Sequence, residues 1–217
     1  MAFEASLTIL GDTLTVQLTN TSPVPTLNPN DTLASFYWDI LNGASRPTLT
    51  YVSATGDVYL ADKTNPDPLQ TAGANLKAVS NGDFTWQYKD FSATVGSPPG
   101  LAFGLGTVGN NTLAPNSFNG NIVDAIDYAI YKGDITTQNL DGKLLVKETA
   151  TFVFSGVTGF SEGDIVSRVE FGLGTAPDST LPGRPPAIVP LPAAVWLLGA
   201  GLLGYLGVGY GRRNETA

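Results

Sequence analysis

The sequence contains no cysteine and no histidine among its 217 residues. Without cysteine the chain has no disulfide framework, and its fold is indifferent to the redox state of its compartment. The two absences exclude the catalytic arrangements of serine with histidine and aspartate and of cysteine with histidine. They also remove the usual ligands of zinc. Only carboxylates are left to carry enzymatic chemistry, and we expect the protein not to be an enzyme.

Positive charge is also scarce. Lysine and arginine together number 11 against 19 aspartate and glutamate residues, which gives a net charge of −8 and a pI near 4.3. Because nucleic-acid binding needs a basic surface facing the phosphates, the charge balance argues against nucleic acid as a partner. Glycine-rich phosphate-binding turns between a strand and a helix are lacking as well.

The body of the chain lacks the helical spacing of apolar residues and alternates with a period of two instead. Alternating runs at residues 3–9 and 14–18, joined by Gly11 and Asp12, predict a β-hairpin. Further strands are predicted at residues 36–41, 48–54, 57–61, 84–90, 101–107, 124–131, 143–155 and 165–174, with loops at 64–80 and 108–121. The pattern predicts an all-β domain over residues 1–175, an antiparallel β-sandwich or jelly-roll-like fold.

Two details of these strands carry expectations. In residues 36–41, Phe36, Trp38 and Ile40 are expected on one face of the strand and the intervening residues on the other. The sequence Phe-Gly-Leu-Gly-Thr occurs at residues 103–107 and again at 171–175. We expect a shared type of strand there, with glycine opposite an aromatic neighbour or at a bulge.

Residues 176–188 are rich in proline and predict an extended, semi-rigid linker. Three parts then follow in order over residues 189–217. The first is the motif Val189, Pro190, Leu191, Pro192 and Ala193. The second, residues 193–210, is uncharged and as a helix nearly matches a hydrocarbon core of about 30 Å. The third, residues 211–217, contains Arg212 and Arg213, which hold that end on the cytoplasmic side. The chain is thus predicted to carry a single C-terminal transmembrane helix.

This order of motif, span and basic end resembles the PEP-CTERM sorting signal of Gram-negative bacteria, in the variant that reads Val-Pro-Leu-Pro-Ala. Leu191 stands where the commonest form has glutamate. The resemblance implies that exosortase, a membrane-embedded cysteine protease, cuts an inner-membrane precursor near the motif and passes it to the cell surface or extracellular matrix. The alternative is an anchor that is never cut. Pro190 and Pro192 favour cleavage, because they keep the motif out of a helix.

Short segments of the body, at residues 11–22, 31–40, 124–130 and 169–175, resemble the XDD-type exosortase-dependent surface proteins. That resemblance implies a secreted domain, and it does not imply a catalytic residue. Export also needs an N-terminal secretion signal, whereas residues 1–10 alternate like a strand. We therefore expect the signal to lie upstream of this sequence or to have been removed from it.

Trp86 and Tyr88 are two positions apart and share one face of a predicted strand. If that face is open, the two rings are candidates for stacking on a carbohydrate. If it faces the interior, they are ordinary core residues. The sequence leaves both alternatives open.

Carboxylates supply the last candidates. Asp124 and Asp127 are three apart on a predicted strand and so lie on opposite faces, which disfavours a glycosidase pair. Glu162 and Asp164 lie in a glycine-containing turn. That turn and residues 28–32 are candidate calcium sites, with turn or cap residues as the alternative.

The sequence as a whole predicts a non-catalytic exported protein of the cell surface or extracellular matrix, acting in the exopolysaccharide layer with exosortase as its processing partner. A carbohydrate-binding module is the second alternative. A carboxylate-dependent glycosidase is the third.

Overall fold

A computed structural model describes residues 1–77, 86–94, 100–107, 126–174 and 176–183. Within these residues the regular elements are eleven strands and three short 3-10 helices. The prediction that the body is mostly β is therefore confirmed.

The strands and 3-10 helices have the following bounds. The strands are β1 (Phe3–Leu10), β2 (Thr13–Asn20), β3 (Leu33–Trp38), β4 (Thr50–Leu60), β5 (Leu69–Asn75), β6 (Gln87–Asp90), β7 (Phe103–Gly106), β8 (Ile130–Tyr131), β9 (Leu144–Ser155), β10 (Glu170–Leu173) and β11 (Ala176–Pro182). The 3-10 helices are Pro29–Asp31, Ser92–Thr94 and Glu162–Asp164.

Strand pairing arranges these elements in two antiparallel rows. The first row runs β1-β2-β9-β4-β5, and the second runs β11-β10-β3-β7-β6. The short strand β8 links the rows, because it pairs in parallel with β9 and antiparallel with β3. This arrangement is consistent with a β-sandwich.

The two rows pack against each other through aromatic rings. Trp38 of β3 lies 5.6 Å from Phe154 of β9, measured between ring centroids. Trp86, beside β6, lies 4.9 Å from Phe152 of β9 in an edge-to-face arrangement. All four side chains are fully buried. Since fully burying one large apolar side chain stabilises a fold by about 1.5–3 kcal/mol, these rings form a central part of the core.

The predicted hairpin is present as β1 and β2, in the register expected from the alternation. Gly11 has a φ of +61°, a left-handed conformation that glycine adopts without strain. The next residue, Asp12, ties the hairpin to the far end of β9, because its carboxylate accepts hydrogen bonds from the backbone N–H and the hydroxyl of Thr158.

Strand β3 has the two faces that we predicted, although all six of its residues are buried and it runs over Leu33–Trp38 instead of residues 36–41. It is the central strand of the second row, with β10 on one side and β7 on the other. Phe36 and Trp38 face the main core, whereas Tyr37 packs with Leu101 and Phe91 on the other side.

The repeated Phe-Gly-Leu-Gly sequence lies on the two strands that flank β3. Gly104 of β7 is opposite Tyr37, and Gly172 of β10 adjoins a bulge in the pairing with β3. A Cβ atom at Gly104 would approach Phe91 to 2.8 Å and Tyr37 to 3.0 Å. Both expectations for these glycines are confirmed: one faces an aromatic ring and the other adjoins a bulge.

Three expected element boundaries need correction. The loop predicted at 64–80 contains β5, whose mostly exposed side chains gave no alternating apolar signal. The two strands predicted at 48–54 and 57–61 are one strand, β4, whose register shifts beside Gly56. Of the strand predicted at 124–131, residues 126–131 are described, and within them the strand covers Ile130–Tyr131, because Tyr128 has a φ of +64° within a turn.

Beyond β10, strand β11 occupies Ala176–Pro182, within the segment that we predicted as a linker. It pairs with β10, and the backbone N–H of Gly183 donates to the carbonyl of Val169 over 2.8 Å. Residues 184–188, the remainder of that segment, lie outside the described residues, as do residues 108–121, the other predicted loop.

Candidate functional site

The candidate stacking residue Trp86 lies in the core. Its side chain is 0 % exposed, and its ring packs edge-to-face on Phe152. Its indole N–H donates a hydrogen bond of 2.9 Å to the backbone carbonyl of Tyr128. A sugar ring cannot stack on a side chain with no exposed surface, so the stacking hypothesis is corrected for this residue in favour of core packing.

Tyr88 shares the face of Trp86, as the two-residue spacing predicted. Its ring lies 5.1 Å from Phe154 and 6.3 Å from Tyr51, and the side chain is partly buried against the main core. Burial raises the pKa of the Tyr88 phenol, because the charged form would lose its hydration. The pair therefore faces inward together and does not form an open aromatic platform.

In each of the two candidate calcium turns, one aspartate accepts hydrogen bonds from its own turn. One carboxylate oxygen of Asp31 accepts hydrogen bonds from the N–H groups of Leu27 and Asn28, at 3.2 and 3.0 Å. One carboxylate oxygen of Asp164 accepts from the N–H and the hydroxyl of Ser161, both at 2.8 Å. These are capping contacts at the starts of two 3-10 helices, which is the alternative that the sequence left open. In the described part of the chain, no three acidic side chains cluster closely enough to hold a metal ion.

Glu162 and Asp164 do not converge on a common point. The Glu162 carboxylate accepts a hydrogen bond of 3.3 Å from the N–H of Ile9, on the outer edge of β1, whereas Asp164 closes its own turn. The contact from Glu162 occupies a backbone donor that an edge strand would otherwise leave unpaired. Of the other carboxylate pair, Asp127 lies in a turn, and Asp124 lies outside the described residues.

Two aspartates at the surface have lowered pKa values for structural reasons. Hydrogen bonds from the Thr158 hydroxyl and from nearby backbone N–H groups lower the pKa of Asp12. The hydroxyl and the N–H of Thr64, with the Asn65 amide, lower the pKa of Asp62 to about 2. Each carboxylate fixes a turn, and a pKa lowered in this way marks an acceptor for hydrogen bonds and not a proton donor at neutral pH.

A cleft of about 610 Å³ opens where β1 begins and β11 ends. It is lined by Met1, Ala2, Phe3, Glu4, Ala5, Thr21, Phe171, Leu181, Pro182 and Gly183. Phe171 is almost completely buried, and its ring lies 5.9 Å from that of Phe3. Met1 and Leu181 remain 58 % and 42 % exposed. No sequence pattern indicated this cleft, because only strand pairing brings residues near 1 and 181 together.

The sorting motif (Val189, Pro190, Leu191, Pro192 and Ala193) and the basic pair (Arg212 and Arg213) lie outside the described residues. Within the described ranges, the helices are all too short to cross a membrane. The last described residue, Gly183, lies six positions before Val189. The described residues therefore end close, in sequence, to the tail whose pattern is the strongest indication of function.

No protein-family model, curated protein or solved structure matches this chain. Function must therefore be argued from the chemistry of its own residues.

Proposed function

We propose that this chain is a non-catalytic, exported protein of the cell surface or extracellular matrix, delivered by its C-terminal sorting signal. The observation that supports this most is the order of three parts in residues 189–217: a proline-containing motif, an uncharged apolar stretch and a pair of arginines. Each part has a distinct physical role in export, and the three are adjacent.

The apolar stretch and the arginines set the topology of the precursor. Residues 193–210 contain no charged side chain, so they can enter the hydrocarbon core as a helix without burying a charge. Arg212 and Arg213 stay on the cytoplasmic side by the positive-inside rule. The body, residues 1–175, then lies outside the cytoplasm while the precursor is anchored in the inner membrane.

The motif supports cleavage of that precursor by exosortase. Pro190 lacks a backbone N–H, and Pro192 disfavours helical backbone at Leu191. An extended backbone next to a membrane span is the form in which a membrane-embedded protease can bind its substrate. After cleavage the body, which we propose to be a β-sandwich, is released or transferred to the surface.

The fold is compatible with processing at this position. Strand β11 ends at Pro182, and Gly183 makes the last described backbone hydrogen bond, to Val169. The motif begins at Val189, six positions after this hydrogen-bonded residue. Cutting the chain at the motif would thus leave every described strand and its hydrogen bonds in place.

A structural role in the exopolysaccharide layer fits the surface chemistry best. The carboxylates of Asp12, Asp31 and Asp164 are engaged in fixing turns, and Glu162 protects the edge of β1. The acidic net charge keeps such a domain soluble among anionic polymers. The burial of Trp86 removes the observation that favoured a carbohydrate-binding module.

The proposal is tested with a paired set of proline substitutions in the native host. The double variant Pro190→Ala and Pro192→Ala should accumulate as a membrane-bound precursor, because its motif can join the helix of the span. The matched control, Pro185→Ala with Pro186→Ala, changes two prolines outside the motif and should be processed normally. Immunoblots of membrane and surface fractions report the outcome. Normal processing of the motif variant, or an equal defect in the control, contradicts the proposal.

A further inference from the structure

The outer side of the first row of strands presents uncharged polar side chains to solvent. In β2, Leu14, Val16 and Leu18 are buried, so the residues that alternate with them face away from the core. These outward residues, all exposed or half-buried, are Thr13, Thr15, Gln17 and Thr19. Each carries a hydroxyl or an amide, and none carries a charge.

The neighbouring strands continue this pattern in register. Thr15 lies opposite Thr8 of β1 and Val153 of β9. Two positions along β2, Gln17 lies opposite Ser6 of β1 and Thr151 of β9. Thr151 in turn lies opposite Thr55 of β4. Side chains therefore repeat at about 4.8 Å across the strands and about 6.8 Å along them. We call this surface the polar face and define it by Ser6, Thr8, Thr15, Gln17, Thr55 and Thr151.

The hydrogen-bonding groups of the polar face are available to a ligand. At its margin, the hydroxyls of Thr19 and Thr149 bond to each other over 3.2 Å. Among the described residues, the six side chains of the polar face make no hydrogen bond within the protein. A hydroxyl both donates and accepts, so it can pair with another hydroxyl in either direction.

Apolar side chains border the polar face. Leu10 follows Thr8 on β1 and is 63 % exposed, the largest value for a large apolar side chain in the described part of the chain. Val52 is 50 % exposed, beside the bulge where β4 pairs with β9. Such side chains can pack on the C–H groups of a sugar ring while the hydroxyls of the polar face bond to its hydroxyls.

We infer that the polar face binds a neutral, hydroxyl-rich polysaccharide. A repeating array of identical groups suits a repeating polymer, because moving the polymer by one repeat restores the same contacts. The inference rests on the proposed function, which places this domain in an exopolysaccharide layer.

Charge and area argue against other occupants. The polar face has no cation to attract an anionic polymer, which the net charge of −8 would repel. The outer side of β1, β2, β9 and β4 measures about 14 Å across the strands and about 20 Å along β2, or about 280 Å². A second copy of the chain would need about 800 Å² per partner for a stable complex.

The test compares two triple variants of the full-length protein, purified in detergent. Thr15→Val, Thr55→Val and Thr151→Val together remove three hydroxyls from the polar face and keep the branched shape of each side chain. The matched control is Thr21→Val, Thr71→Val and Thr136→Val, at three exposed threonines elsewhere. Gln17→Leu is a second variant, in case the triple variant of the polar face does not fold. Binding is measured by depletion of protein from solution by microcrystalline cellulose and by the immobilised neutral fraction of the host's exopolysaccharide.

We expect the wild type to bind at least one of these neutral polymers, and to bind immobilised polygalacturonate at least about tenfold more weakly. The triple variant of the polar face should bind at least about tenfold more weakly than the wild type, because three hydrogen bonds are lost. Gln17→Leu should bind at least about twofold more weakly, and the control should stay within about twofold of the wild type.

Three results would overturn the inference: a wild type that binds neither neutral polymer, equal losses in the polar-face variant and the control, or sedimentation showing a wild-type dimer that the polar-face variant abolishes. The last result would assign the polar face to a second copy. All three leave the proposed function standing, because sorting is read from cleavage at the motif and not from binding. Absence of the cleaved protein from the cell surface contradicts the proposed function whatever the polar face binds.

Discussion

Replacement of Trp86 by alanine tests whether this residue belongs to the core or to a binding surface. Truncation of a buried tryptophan to alanine typically costs about 3–5 kcal/mol, through lost burial and the cavity left behind. Trp86 is 0 % exposed and packs edge-to-face on Phe152 at 4.9 Å. The variant also leaves the carbonyl of Tyr128 without its indole donor, which adds to the cost. We therefore expect a loss in the upper part of that range.

The cost can be divided between packing and hydrogen bonding. Trp86→Phe keeps most of the ring but removes the N–H, so it should cost about 1–3 kcal/mol, the penalty for an unsatisfied buried carbonyl. Combining Trp86→Ala with Phe152→Ala in a double-mutant cycle should give a coupling of about 0.5–1.5 kcal/mol, as expected for an aromatic pair in contact.

The assay is urea unfolding of the purified protein, followed by far-UV circular dichroism. Val52→Ala, at a side chain that is 50 % exposed on β4, serves as the surface control and should change stability by less than about 0.5 kcal/mol. A cost of Trp86→Ala below about 1 kcal/mol would show that the side chain is not part of the core. Loss of retention on exopolysaccharide with unchanged stability would restore the stacking hypothesis.

Two further predictions concern the fit of β7 and the stability in acid. Gly104→Ala should cost about 1–3 kcal/mol in the same urea assay, because its Cβ atom would meet Phe91 and Tyr37 at 2.8–3.0 Å; an unchanged midpoint would show that these rings can move aside. The folded-state pKa of Asp62 is lowered to about 2, so its contact with Thr64 contributes stability that is present above pH 3.8, the ordinary value, and is lost as the pH falls towards 2. Stability measured between pH 5 and pH 2 should therefore fall more steeply for the wild type than for Asp62→Ala, and equal slopes would refute this role.

The parts of the fold that the sequence predicted well are those where one face is buried and the other is not. The β1–β2 hairpin is such a case, because its apolar residues alternate and Gly11 fits the turn. In β9, Val146, Ala150, Phe152 and Phe154 lie at even positions and are buried, in agreement with the period of two predicted for the body. Period-two burial is what a strand at the surface of a core imposes on its sequence.

The parts that the sequence did not predict are those where burial follows another rule. The side chains of β5 are almost all exposed, so nothing in its sequence distinguishes it from a loop; pairing with β4 alone makes it a strand. Strand β3 is buried on both faces and begins at Leu33, three positions before the predicted start, although the predicted separation of Phe36 and Trp38 from Tyr37 is confirmed. Strand β11 was predicted as a linker because it contains prolines. An edge strand tolerates proline, because one side of its backbone needs no partner in the sheet.

The candidate site was also predicted only in part. The shared face of Trp86 and Tyr88 follows from their spacing, but the direction of that face depends on Phe152 and Phe154, more than sixty positions away along the chain. The cleft between β1 and β11 likewise depends on a pairing order that puts these two strands on the same side of the two rows. Local patterns define which residues lie together on a strand, and only tertiary pairing defines what they face.

The most direct test of the account is the mass of the C-terminal peptide of the protein isolated from the surface of wild-type cells. Digestion and mass spectrometry should recover a C-terminus within Val189–Ala193, with no peptide from residues 196–217, and cells that lack exosortase should retain the full tail. Recovery of an intact tail through Ala217 on the surface protein of wild-type cells would contradict the proposal that this chain is cut at its sorting motif.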